Sequence, residues 1–131
     1  NKNSLNFFVF LLEHGAARDM GVSAAVVLQP LMGLSDKEPG KHEVFLGSLV
    51  SELENLGRRK FYEKARIVLE ELQRDFIGAD TCFLDGSSVF DGVKGDVWED
   101  TTHPSGRGQA IAGKILVDQL IECGLLSNVA D

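Results

Sequence analysis

The sequence predicts an α/β unit built on a parallel sheet. Two continuous apolar runs, Ala24-Ala25-Val26-Val27-Leu28 and Thr81-Cys82-Phe83-Leu84, have the length and bare hydrophobicity of strands buried on both faces. The segments around and between them carry apolar residues at helical spacing. The resulting order of helix, strand, helices, strand, helix is the alternation that joins parallel strands through helical crossovers.

Residues 4–20 read as a first helix, apolar nearly all round at its start. Leu5, Phe8, Val9, Leu12 and Ala16 form one stripe and Phe7, Phe10 and Leu11 widen it, so this helix expects neighbours on more than one side. Gly21 stops it. The first strand then ends at Gln29-Pro30, and segment 31–40, with Gly33, Ser35, Asp36, Pro39 and Gly40, has the composition of a loop beyond the strand's carboxyl end. That edge is where open α/β sheets usually carry function.

Two helical patterns follow. Leu46, Leu49, Val50, Leu53 and Leu56 make the first; after a break at Gly57, Ala65, Leu69, Leu72 and Phe76 make the second, supported by a Glu70–Arg74 pair one turn apart. The second strand is entered from Gly78-Ala79-Asp80 and left through Asp85-Gly86, and a polar loop runs on to about Pro104. The last helix, residues 106–123, sets Ala112, Leu116 and Leu120 against Lys114, Asp118 and Glu122 on the opposite face, and Gly124 ends it.

A chain of 131 residues at 44% hydrophobic and 25% charged has the composition of one globular unit with one core. Its longest dense apolar run, residues 7–12, is far short of the roughly 20 residues a membrane span needs. With 13 Lys and Arg against 20 Asp and Glu the net charge is -7, and no basic cluster exceeds Arg58-Arg59-Lys60, which excludes the phosphate-neutralising surface of a nucleic-acid binder. Cys82 and Cys123 have no C-x-x-C spacing and read as free buried thiols, with a single disulfide as the sharper alternative. A parallel sheet buried on both faces commonly has about five strands. Two are too few, so the chain is expected to be a piece of a larger domain, with an exposed sheet edge open to self-association.

The chemistry-bearing stretch runs from Trp98 to Gln109 and leads directly into the last helix. In a turn, the three-residue spacing of Asp100 and His103 lets the carboxylate reach one imidazole nitrogen, which fixes the tautomer while the other nitrogen faces a cleft. Pro104 restrains His103 to an extended conformation, and Ser105 or Thr102 caps the helix that follows. Gly106 and Gly108 suit close backbone packing at a helix start better than a phosphate-binding turn, which needs a strand immediately before it. Metal binding by Asp100 and His103 lacks a further ligand at a suitable spacing.

Ser87, in Asp85-Gly86-Ser87-Ser88, imitates a nucleophile turn after a strand, but loop polarity accounts for it. Gln29 is a cleft contact or simply a strand terminator. His14 and His42 read as surface residues.

The block Asp100-Thr101-Thr102-His103-Pro104-Ser105-Gly106-Arg107-Gly108-Gln109 is similar to the last block of SGNH/GDSL-type serine ester hydrolases, an Asp-x-x-His loop ahead of the C-terminal helix. Val26-Val27-Leu28-Gln29-Pro30 resembles their fourth strand, and Phe83-Leu84-Asp85 with Val89-Phe90 their fifth strand and its exit, so the resemblance covers most of the chain. It implies that residues 1–131 are the C-terminal portion of a single three-layer α/β/α, flavodoxin-like domain with a parallel sheet. It further implies that His103 is the general base and Asp100 its orienting carboxylate in a Ser-His-Asp triad. The substrate would be a small-molecule, carbohydrate or lipid ester, cleaved without a metal or organic cofactor.

No Gly-Asp-Ser occurs, nor do the glycine and asparagine blocks that build the family's oxyanion hole. The nucleophile is therefore expected upstream of Asn1 and the chain alone is expected to be inactive. Two other classes compete. One is a non-catalytic α/β interaction module that retains the hydrolase scaffold; the other is a flavodoxin-like phosphate or nucleotide binder, for which the turn after Gln29-Pro30 offers only Gly33.

Overall fold

The computed structural model describes residues 19–75 and 80–127. They form a mixed α/β unit: β1 Ala24–Leu28, α1 Lys41–Ser48, α2 Glu52–Asp75, β2 Thr81–Asp85, a 3-10 turn Gly86–Ser88, and α3 Gly106–Glu122. The first helix expected from the sequence, residues 4–20, lies almost wholly outside the described residues.

β1 and β2 pair in parallel, in a register that sets Ala24 opposite Thr81 and Leu28 opposite Asp85. Helix α2, the crossover element a parallel pair requires, packs on both strands, and α3 touches β2. β2 buries Cys82, Phe83 and Leu84, whereas β1 is only half-buried and exposes Ala25. The expectation of two fully buried strands thus fails at β1, because the helices cover mainly β2, which packs against both α2 and α3, while β1 packs chiefly on α2. At the exit of β2 the chain crosses close behind the end of β1. A Cβ at Gly86 would lie 2.7 Å from the Leu28 carbonyl oxygen, so only glycine fits.

The helical break falls at residues 49–51, not at Gly57. Ser51 starts α2: its hydroxyl accepts the Glu54 N–H at 3.1 Å and its carbonyl the Asn55 N–H at 3.0 Å. Gly57 sits on an open face with nothing within 4 Å of an added Cβ, and the 24-residue helix absorbs its cost of about 1 kcal/mol relative to alanine. The apolar stripe expected from Leu46 to Leu56 is therefore split between two helices. Leu46 is buried, while Leu49, Leu53 and Leu56 are exposed. Further along α2, Leu72 is buried and Ala65 and Leu69 half-buried, as the spacing of the second pattern requires, while its last member, Phe76, lies outside the described residues; Tyr62, outside that pattern, is buried as well. Arg74 pairs with Asp75 at 3.0 Å rather than with Glu70.

The main core lies beneath the segment that reads as a polar loop. Met32, Leu46, Val89, Phe90, Val97, Trp98 and Ala112 form one buried cluster, with Phe90 edge-on to Trp98 at a centroid distance of 5.2 Å. Gly92 and Gly95, both at positive φ, turn the chain back so that the apolar residues on either side of them meet.

Cys82 and Cys123 are joined in a disulfide, Cα to Cα 6.3 Å, which corrects the reading of two free buried thiols. The C-terminal end of α3 lies beside β2, and Cys123 is itself exposed. Among the described residues no helix is long and apolar enough to cross a membrane.

Candidate active site

Residues 98–104 form a tight loop closed at its stem. Trp98 bridges antiparallel to Pro104, the Glu99 N–H donates to the His103 carbonyl at 2.9 Å, and the Ser105 N–H donates to the Val97 carbonyl at 2.9 Å. Ser105 is the N-cap of α3, its hydroxyl accepting the Gly108 N–H at 3.2 Å. A Cβ at Gly108 would collide with the Val97 carbonyl, so this glycine serves close packing between helix start and loop stem.

Two side chains pin the loop from other elements. Arg58 of α2 donates from Nη1 to the Thr101 carbonyl at 3.1 Å and is itself held by Glu54 at 2.5 Å. His42 of α1 places Nε2 3.1 Å from the Glu99 carbonyl, so that nitrogen carries the proton. His42 is exposed, as expected, yet it anchors the loop. One turn along α2, the Tyr62 hydroxyl donates to the Gln29 carbonyl at 2.8 Å, and Arg59 donates to the Gly33 carbonyl at 3.1 Å. Burial is the main reason the Tyr62 hydroxyl titrates above its ordinary value, with Asp85 adding to it. One face of α2 thus ties the exit of β1 to the 98–104 loop.

At the tip, Asp100 and His103 meet. Asp100 Oδ2 lies 2.7 Å from His103 Nδ1, while Oδ1 accepts the N–H groups of Thr102 and His103, each at 2.7 Å, and the Thr102 hydroxyl at 3.0 Å. Thr102 therefore braces the carboxylate, and the capping role falls to Ser105 alone. The His103 hydrogen bond first, then the two backbone N–H groups, hold the Asp100 carboxyl well below the usual carboxylate range. An ionised Asp100 keeps the proton on Nδ1 and leaves the Nε2 lone pair pointing away from the carboxylate. Both side chains are open to solvent, His103 at 75% and Asp100 at 52%. Such a pair can accept and return a proton at Nε2 from a group brought to it.

Ser87 stands apart from this pair. It is 1% exposed, its hydroxyl donates to Asp85 Oδ1 at 2.5 Å and accepts from Arg66 Nη2 at 2.7 Å, and its N–H also reaches Asp85. The Gln29 side chain is exposed, and it is the backbone carbonyl that is engaged. His14 lies outside the described residues. Among the described residues no group of three or more His, Cys, Asp or Glu side chains could hold a metal ion.

Sequence reasoning passed over the residues that hold the loop in place. Arg58 read only as part of a basic cluster. Glu43 stands at the third position of α1, the place of a capping-box glutamate, but Gly40 at the N-cap lacks the side chain that would have drawn attention to it. No protein-family model, no curated protein and no solved structure matches the chain.

Proposed function

We propose that Asp100 and His103 are the acid–base pair of a serine ester hydrolase of the SGNH/GDSL type, and that this chain is the C-terminal portion of its three-layer, flavodoxin-like domain. The observation that supports this most is the 2.7 Å contact between Asp100 Oδ2 and His103 Nδ1, which leaves Nε2 free to act as a base. The nucleophile of this reading is a serine that is not among these residues. Its Oγ attacks the ester carbonyl while His103 Nε2 takes the hydroxyl proton; the tetrahedral adduct then expels the alcohol, which receives that proton. Water repeats the exchange on the acyl-enzyme, releasing the acid and restoring the serine. Asp100 holds the imidazole ring and stabilises its cationic form. The substrate is a small-molecule, carbohydrate or lipid ester.

The openness of the pair, 75% and 52% exposed, favours the second reading, a non-catalytic module that keeps the hydrolase scaffold. Fluorophosphonate labelling of the full-length polypeptide that carries this chain separates the two. The hydrolase reading expects stoichiometric labelling of a serine other than Ser87, together with hydrolysis of short acyl esters, and His103→Ala should abolish both. Full activity in His103→Ala would overturn the assignment of the base, and an unlabelled and inert full-length protein would leave the module reading.

A further inference from the structure

A cavity of about 320 Å³ lies among the loop that leaves β1, helix α1 and the stem of the 98–104 loop. Met32, Pro39, Val44 and Trp98 give it apolar walls, Gly47 lines it from α1 and Arg59 from α2. Two other charges at its wall cancel each other, because Lys37 and Glu43 pair at 2.5 Å with both side chains 3% exposed. Arg59 is not cancelled. It is exposed, one guanidinium N–H is used on the Gly33 carbonyl, and among the described residues no carboxylate is in ion-pair contact with it.

We infer that this cavity binds a small amphipathic carboxylate, a linear acid of about six carbons, with its tail against Met32, Val44 and Trp98 and its head on Arg59. The pairing follows from what each wall can offer. Val44, exposed to water in the open cavity, gains by shedding that water onto an alkyl chain, and a guanidinium with N–H groups to spare binds a carboxylate more strongly than any neutral oxygen. A chain of net charge -7 would otherwise repel an anion, so uncancelled Arg59 decides the sign of the ligand. The inference needs neither the missing serine nor His103, although an acid of this class is also what ester hydrolysis releases.

Trp98 is the one tryptophan of the 131 residues, so it reports on the cavity directly. Titrating hexanoate into the full-length polypeptide that carries this chain should give a saturable calorimetric heat, with the change in Trp98 fluorescence giving the same Kd. Arg59→Gln should weaken hexanoate by about tenfold or more while leaving neutral hexanamide unchanged. Gly47→Leu should abolish binding of both ligands. Gly47 lines the cavity, an added Cβ there meets nothing within 4 Å, and leucine favours the helix more than glycine, so the substitution adds bulk at the cavity wall at little cost to folding. His103→Ala should leave hexanoate binding intact, which separates this site from the proposed catalytic pair. The inference is overturned by no saturable signal and no heat up to about 10 mM hexanoate, by equal hexanoate affinity in wild type and Arg59→Gln, or by unaltered binding in Gly47→Leu.

Discussion

The Glu43 carboxylate accepts the backbone N–H of Val97 at 2.7 Å, joining α1 to the stem of the 98–104 loop across 54 residues of sequence. Its other oxygen accepts from Lys37 Nζ and from the Gly40 N–H. A buried carboxylate with this many donors is a fixed point, and the loop that carries Asp100 and His103 hangs from it.

Glu43→Gln should therefore destabilise the fold by about 3 kcal/mol at neutral pH, because it leaves the buried Lys37 ammonium without its counter-charge. Burial alone would raise the Glu43 pKa. The Lys37 hydrogen bond and the Val97 and Gly40 N–H groups outweigh it and hold the pKa below the ordinary 4.5. A depressed carboxyl stabilises the fold above its unfolded pKa, and that contribution is lost as pH falls through the folded one. Urea denaturation from pH 7 downward should show wild type losing stability below about pH 4.5, with the gap to Glu43→Gln closing.

Helix α1 borrows its cap from the loop. Gly40 occupies the N-cap with no side chain to offer, and Asp96 Oδ1 accepts the Glu43 N–H at 3.1 Å in its place. A Cβ at Gly40 would run into that carboxylate. Asp96→Ala should cost about 1 kcal/mol as a lost cap, and Gly40→Ala about 1–3 kcal/mol as an overpacked contact. In the double variant the carboxylate part of the clash is gone and only the contact with the residue 96 backbone nitrogen, 2.8 Å from the added Cβ, remains, so the two costs should fall partly short of additive by denaturant titration.

Reducing the Cys82–Cys123 disulfide opens a cross-link between residues 41 apart. Chain-entropy reasoning puts the loss at about 3–4 kcal/mol. The oxidised chain should show no free thiol under denaturing titration, and Cys82→Ala should match the reduced protein in melting temperature. Two titratable thiols in the protein as isolated from an oxidising compartment would refute the pairing.

Asp100 should remain ionised well below the ordinary aspartate value of 3.8, because the His103 ring and the Thr102 and His103 N–H groups all favour the charged form. Its side-chain carboxyl carbon signal in NMR should stay at the carboxylate position as pH falls past 3.8. The order of the loop tip should persist as pH falls past 3.8 and fail only when it reaches the depressed pKa. Asp100→Asn should move the imidazole proton from Nδ1 toward Nε2, read directly from ring nitrogen shifts.

The sequence by itself determined whatever depends on neighbours along the chain. Apolar runs marked both strands, and the spacing after residue 57 marked the buried face of α2. Asp100 and His103 were legible for the same reason, because three residues in a turn suffice to bring carboxylate to imidazole. Tertiary structure decided the rest. The break between α1 and α2 turned on Ser51 as a cap, since a lone glycine cannot stop a helix of 24 residues. The core beneath residues 86–104 arose because two positive-φ glycines fold a polar-looking segment back on itself, hiding Phe90 and Val97 entirely. The anchors of the loop, Glu43 to Val97, Asp96 to Glu43 and Arg58 to Thr101, span 54, 53 and 43 residues. No local pattern encodes such contacts, because the entropy of closing them is met only when the whole core assembles.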